Sequence, residues 1–107
     1  MTDFTKRERQ ALRELAGEVY EAEAAVLLED LAASFAKWRA GDLLPSELLE
    51  AIHEFHQNQS RHLWSMYQGL REPDIVARGL AHGLLASSKV PSPLRAKLEP
   101  LIGAIRT

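Results

Sequence analysis

Apolar residues recur along this chain at intervals of three and four. Leu12, Leu15, Val19, Ala22 and Val26 form one series, and Ala24, Leu27, Leu28, Leu31, Phe35 and Trp38 form a second that overlaps it. Side chains three and four apart share one face of an α-helix, so the two stripes predict a single long amphipathic helix over about residues 6–40. Its start is marked by Thr5-Lys6-Arg7-Glu8, where a hydroxyl at the cap and a carboxylate three residues on can satisfy two otherwise unpaired backbone N–H groups. Gly41 marks its end, because glycine enters the left-handed conformation that closes a helix. Gly17 falls inside the helix, at a cost of about 1 kcal/mol relative to alanine, and the stripe continues across it.

A second helix is predicted over about 45–70. Pro45 suits the first helical position, Glu47 favours the N-terminal dipole, and the inward stripe reads Leu48 or Leu49, Ile52, Phe55, Gln59, Leu63, Met66 and Leu70. The polar run Gln57-Asn58-Gln59-Ser60 forms helix less readily than its neighbours, which predicts a bend near Asn58. Beyond Pro73, a short third helix from Asp74 to about Ala86 carries Gly79 and Gly83 four apart, a spacing that lets a neighbouring backbone come close. Ser92-Pro93 opens a last helix, which Pro100 is expected to limit to two short pieces. No alternating strand pattern and no repeat is present. The expectation is an all-α single domain over 1–107, a small helical bundle with one long N-terminal helix, a second helix and two short C-terminal ones.

Composition narrows the classes of function. Hydrophobic residues make up 46% of the 107 and charged residues 26%, a balance that supports a folded domain rather than a disordered one. The absence of cysteine removes disulfides, thiolate metal sites and a cysteine nucleophile, and is most at home in a reducing cytoplasm. The charged opening MTDFTKRERQ has no apolar stretch after it, so no signal peptide is expected. No apolar run approaches the ~20 residues of a membrane span, so no membrane partner is expected. A net charge of −2 argues against a polyanion binder, although the C-terminal third is mildly basic.

Candidate chemistry concentrates on the second helix. Glu50-Ala51-Ile52-His53 is a Glu-x-x-His pair, the spacing that ferritin-like dimetal bundles use on two of their helices to point a carboxylate and an imidazole at one ion, and His56 shares its face. A divalent metal held by Glu50, His53 and His56 is therefore the alternative to a role without cofactor. Such a dimetal centre needs a second Glu-x-x-His, which this chain lacks and a symmetric dimer would supply, with Glu18, Glu21 or Glu23 of the first helix as additional carboxylates. Three of the four histidines, His53, His56 and His62, lie on this helix, which also suggests a pH-sensing role. Lys6, Arg9 and Arg13 form a basic stripe at the start of the first helix, but acidic residues interrupt it and no aromatic residue interleaves it, so nucleic acid is not the expected partner. Phe35, Trp38, Phe55, Trp64 and Tyr67 occupy apolar helical positions and are expected in the core. No serine lies in a nucleophile context and no glycine loop could cradle phosphate.

These readings favour a non-enzymatic helical module that works by protein–protein contact, with metal binding as the alternative. A helix over 6–40 would be ~52 Å long, whereas a compact chain of this size has a radius of gyration of ~13 Å. The short C-terminal helices cannot cover an apolar stripe of that length. A two-fold homodimer in which the first helices take part, through residues such as Leu15 and Val19, is the expected cover.

Overall fold

The computed structural model describes residues 3–106; among them 83% are helical and none is in a strand. Helix α1 runs unbroken from Lys6 to Arg39. Its capping box forms as the sequence requires, the Glu8 N–H donating to Thr5 Oγ1 at 3.0 Å and the Thr5 N–H to Glu8 Oε1 at 2.9 Å. At the far end Gly41 takes φ +86°, the Asp42 N–H reaches the Lys37 carbonyl at 2.8 Å, and the Gly41 N–H reaches that of Trp38 at 3.1 Å. These two bonds are the Schellman closure. Helix α2 spans Pro45–Glu54, a π-helical segment Phe55–Ser60, and α3 spans Arg61–Gln68, the three running on without a break. Glu47 accepts a hydrogen bond from the Leu44 N–H at 2.8 Å and so caps α2 directly. Helix α4 covers Glu72–Ala81, a 3₁₀ turn covers Ser87–Lys89, and α5 covers Ser92–Arg106.

A π-helical segment stands where the sequence predicts a bend near Asn58. At 100° per residue, Leu63 would overshoot the face of Phe55 by about 80°, and a wider turn absorbs the excess. The consequence is a change of register. Ser60, not the expected Gln59, is the partly covered residue between Phe55 and the buried Leu63.

Two further expectations are corrected. The third helix ends at Ala81 instead of Ala86, because Gly83 takes φ +74° and the Leu84 N–H closes onto the Gly79 carbonyl at 2.8 Å. Gly83 is thus a helix stop. Pro100 does not divide the last helix, which passes through it. Leu94, Leu98 and Ile102 lie four apart and are all buried, so both sides of the proline are anchored on the same apolar stripe while Pro100 stays exposed.

The chain's internal contacts group into two compact units, residues 1–22 with 70–107, and residues 23–69. The first holds most of the core: Leu12, Leu15, Ala16 and Val19 of α1, Ile75, Val76 and Ala77 of α4, Leu85 and Val90 of the connection, and Leu94, Leu98 and Ile102 of α5. Gly79 lies against Val19, and a Cβ built on it would overlap the Val19 methyl groups. Close approach is therefore the role of Gly79, as the sequence suggests. Leu15 and Val19 are covered by the chain's own helices, so they are not the exposed seam that the dimer expectation assigned to them.

In the second unit the remainder of α1 and the α2–α3 rod form an antiparallel hairpin, tied where Tyr67 Oη donates to Glu23 Oε1 at 3.2 Å. This unit buries only Leu48, Leu63 and Tyr67 among its large apolar residues.

Candidate interaction surface

The hairpin carries six of the seven exposed large apolar residues found among the described residues: Val26, Leu28, Trp38, Leu44, Leu49 and Trp64. Three of them arise from one local pattern. Leu48 and Leu63 are buried and Leu27 is half-buried, and each is followed directly by an exposed apolar residue: Leu49 at 67% exposure, Trp64 at 59% and Leu28 at 55%. One residue advances a helix by about 100°, so each second member turns out of the hairpin interface onto its flank. In an antiparallel pair the residue following an inward one lies on the same side for both helices, as the e positions of antiparallel coiled coils do. Leu28, Leu49 and Trp64 therefore share a flank. Ala25, Ala32 and Ala36 of α1 are exposed there too, following half-buried Ala24, Leu31 and Phe35.

Aromatic placement departs from expectation accordingly. Tyr67 is buried and Phe35 and Phe55 are half-buried, but Trp64 and Trp38, the latter at 39% exposure, are not core residues. Apolar periodicity alone does not separate a side covered by the same chain from one left open. The readable signal was the doubled apolar letters, which make the stripe wider than one neighbouring helix can cover.

The sequence-predicted ligands stand elsewhere in character. Glu50 and His53 on α2 and His56 in the π segment are all exposed, and no group of three or more His, Asp or Glu among the described residues is placed to hold a metal ion. The basic stripe is equally solvated: Lys6, Arg9 and Arg13 are exposed, Arg13 Nη2 donates to Gln10 Oε1 at 2.6 Å and Arg9 Nη1 to the Phe4 carbonyl at 2.6 Å.

Arg9 also borders a cavity of about 530 Å³ in the first unit, lined by Phe4, Arg71, Pro73, Lys97 and Pro100 among others. Its cations are already engaged. Lys97 Nζ donates to Glu8 Oε1 at 2.6 Å and to the Asp3 carbonyl at 3.0 Å, and lies 5.9 Å from the centre of the Phe4 ring. The hydrogen bond from Lys97, with a second from the Thr5 N–H, holds the Glu8 carboxyl below its ordinary value. This group of contacts fastens Asp3, Phe4 and Glu8 to α5. A shallower concavity beside the π segment is lined by Gln57, Asn58, Gln59, Arg61, His62 and Ser65. Three of these side chains bond along the helix, Asn58 donating to Glu54 at 3.1 Å and Arg61 to Gln57 at 3.3 Å.

No family model, curated protein or solved structure matches the chain. No helix among the described residues is long and apolar enough to cross a membrane.

Proposed function

We propose that this protein is a non-enzymatic helical interaction module that acts as a homodimer through its hairpin. The observation that carries the reading is the concentration of exposed apolar side chains on residues 23–69, where six of the seven large ones among the described residues lie and only three large apolar residues are buried. Exposed aromatic and aliphatic groups gathered on one element are the usual mark of a contact surface, and tryptophan is the residue most enriched at its energetic centre. A second copy is the simplest cover, since a two-fold axis buries the same flank on both partners and closes the assembly. Glu50, His53 and His56 are solvent-exposed in this module.

Both tryptophans of the chain, Trp38 and Trp64, lie in the hairpin, so intrinsic fluorescence reports on it directly. Across a dilution series the emission should move to shorter wavelength as concentration rises, and Trp64→Phe should remove most of that movement. Emission that stays at the exposed-indole position at every concentration would count against the reading.

A further inference from the structure

Along α1, the open flank reads Glu21, Ala25, Leu28, Ala32, Ala36 and Arg39, all exposed and spaced by three or four. Because α1 is one uninterrupted helix, these residues fall on a single line along it. Their chemistry is complementary to itself under reversal about the point midway between Leu28 and Ala32. Reversing the helix about that point brings Leu28 opposite Ala32, a large side chain against a small one. The same operation brings Glu21 opposite Arg39, an anion against a cation, and places Ala25 beside Ala36. Neither the Glu21 carboxylate nor the Arg39 guanidinium has a hydrogen bond or ion pair among the described residues. The flank is therefore complementary to an antiparallel copy of itself in both volume and charge.

We infer that two copies of the chain pair through this flank of α1, antiparallel about a two-fold axis beside residue 30, with Leu28 of each set over Ala32 of the other and Glu21 of each facing Arg39 of the other. The inference rests on the homodimer reading and adds to it the face and the register. Small residues at 25, 32 and 36 let the two helices approach closely, while Leu28 of each copy fills the space opposite Ala32 of the other, as facing core layers do when they interdigitate. The two charge pairs lie at the ends of the seam, where they select this register over slipped ones more than they add to affinity. Leu49 and Trp64, on the same side of the hairpin, border the seam. A parallel arrangement would set glutamate against glutamate and arginine against arginine, and is disfavoured for that reason.

The test is charge reversal with rescue, read by sedimentation equilibrium of the full chain at low ionic strength. Glu21→Arg alone and Arg39→Glu alone should each weaken the dimer roughly tenfold, since each turns two attractive contacts into two repulsive ones. Glu21→Arg with Arg39→Glu together should return the affinity to near that of the unaltered protein. Both residues are exposed, so helical content by circular dichroism should stay constant across the set. Leu28→Asp should abolish association in either charge background. A dimer that is indifferent to both single reversals and to Leu28→Asp would overturn this face and register while leaving the homodimer itself standing. Unaltered protein that stays monomeric at every accessible concentration would overturn both, and would assign the flank to a different protein.

Discussion

Gly79 of α4 lies directly against the side chain of Val19 of α1, with no room for a Cβ between them: one built there would sit 3.0 Å from Val19 Cγ1 and overlap Cγ2. Val19 is fully buried and Gly79 is buried with it. The crossing of α1 and α4 is thus set by the absence of a side chain. Gly17, two residues before Val19 on α1, is exposed and has nothing within 4 Å of a Cβ built on it.

The two glycines should therefore respond to alanine with opposite signs. Gly17→Ala is expected to stabilise by about 0.5–1 kcal/mol, because alanine loses less conformational freedom in a helix. Gly79→Ala gains the same propensity but forces Val19 to shift, and a net loss of about 1–3 kcal/mol is expected from overpacking. Urea denaturation of both variants, and of Gly79→Ala combined with Val19→Ala, checks this. The second substitution should recover part of the loss if the overlap is its cause.

Acid should release the contact between Glu8 and Lys97. The Glu8 carboxyl is lowered in the folded protein, first by the Lys97 hydrogen bond, so the folded state binds its proton less readily than the unfolded chain does. The stability it contributes is fully present above the ordinary carboxylate value of 4.5 and is lost as pH falls through the lower, folded value. Glu8→Gln should lose less stability between neutral pH and strong acid than the unaltered protein. Urea midpoints measured across that range report the difference, and parallel curves would show that Glu8 does not contribute.

The exposed tryptophan should be dispensable to the folding of the single chain. Trp64→Ala is expected to change stability by less than about 1 kcal/mol in dilute solution, in contrast to the ~3–5 kcal/mol of truncating a buried tryptophan. Thermal or chemical unfolding at low concentration decides between the two values.

Much of the fold could be read from sequence where a local signal acts through the backbone. Thr5 and Glu8 mark the start of α1, Gly41 its end and Pro45 the start of α2, each through bonds made within a few residues. The weak helix formers around Asn58 mark the π segment. What could not be read depends on tertiary anchoring. Pro100 stays within α5 because Leu98 and Ile102 are both buried, and Ser60 takes the place of Gln59 because Leu63 and Phe55 must reach one face. Gly83 was indistinguishable from Gly79 by spacing, yet one closes the helix and the other packs inside it. The Glu-x-x-His spacing is a real local pattern, but spacing alone does not say that Glu50, His53 and His56 stand on open surface.

That exposure leads to a direct expectation for metal. Addition of zinc or manganese to protein purified without a histidine tag should leave the melting temperature unchanged, as should replacement of His53 and His56 together by Gln. A discrete rise with metal that disappears in the double variant would support the alternative, since a ligand that binds only the folded state must raise its melting temperature.

The homodimer itself is tested most directly by light scattering on the unaltered chain at micromolar concentration. The chain has a mass of 12.0 kDa, so the expected result is a particle of twice that mass, returning toward the single-chain value on dilution. A particle of 12.0 kDa at every concentration would contradict it, and would leave the apolar flank of the hairpin to another partner.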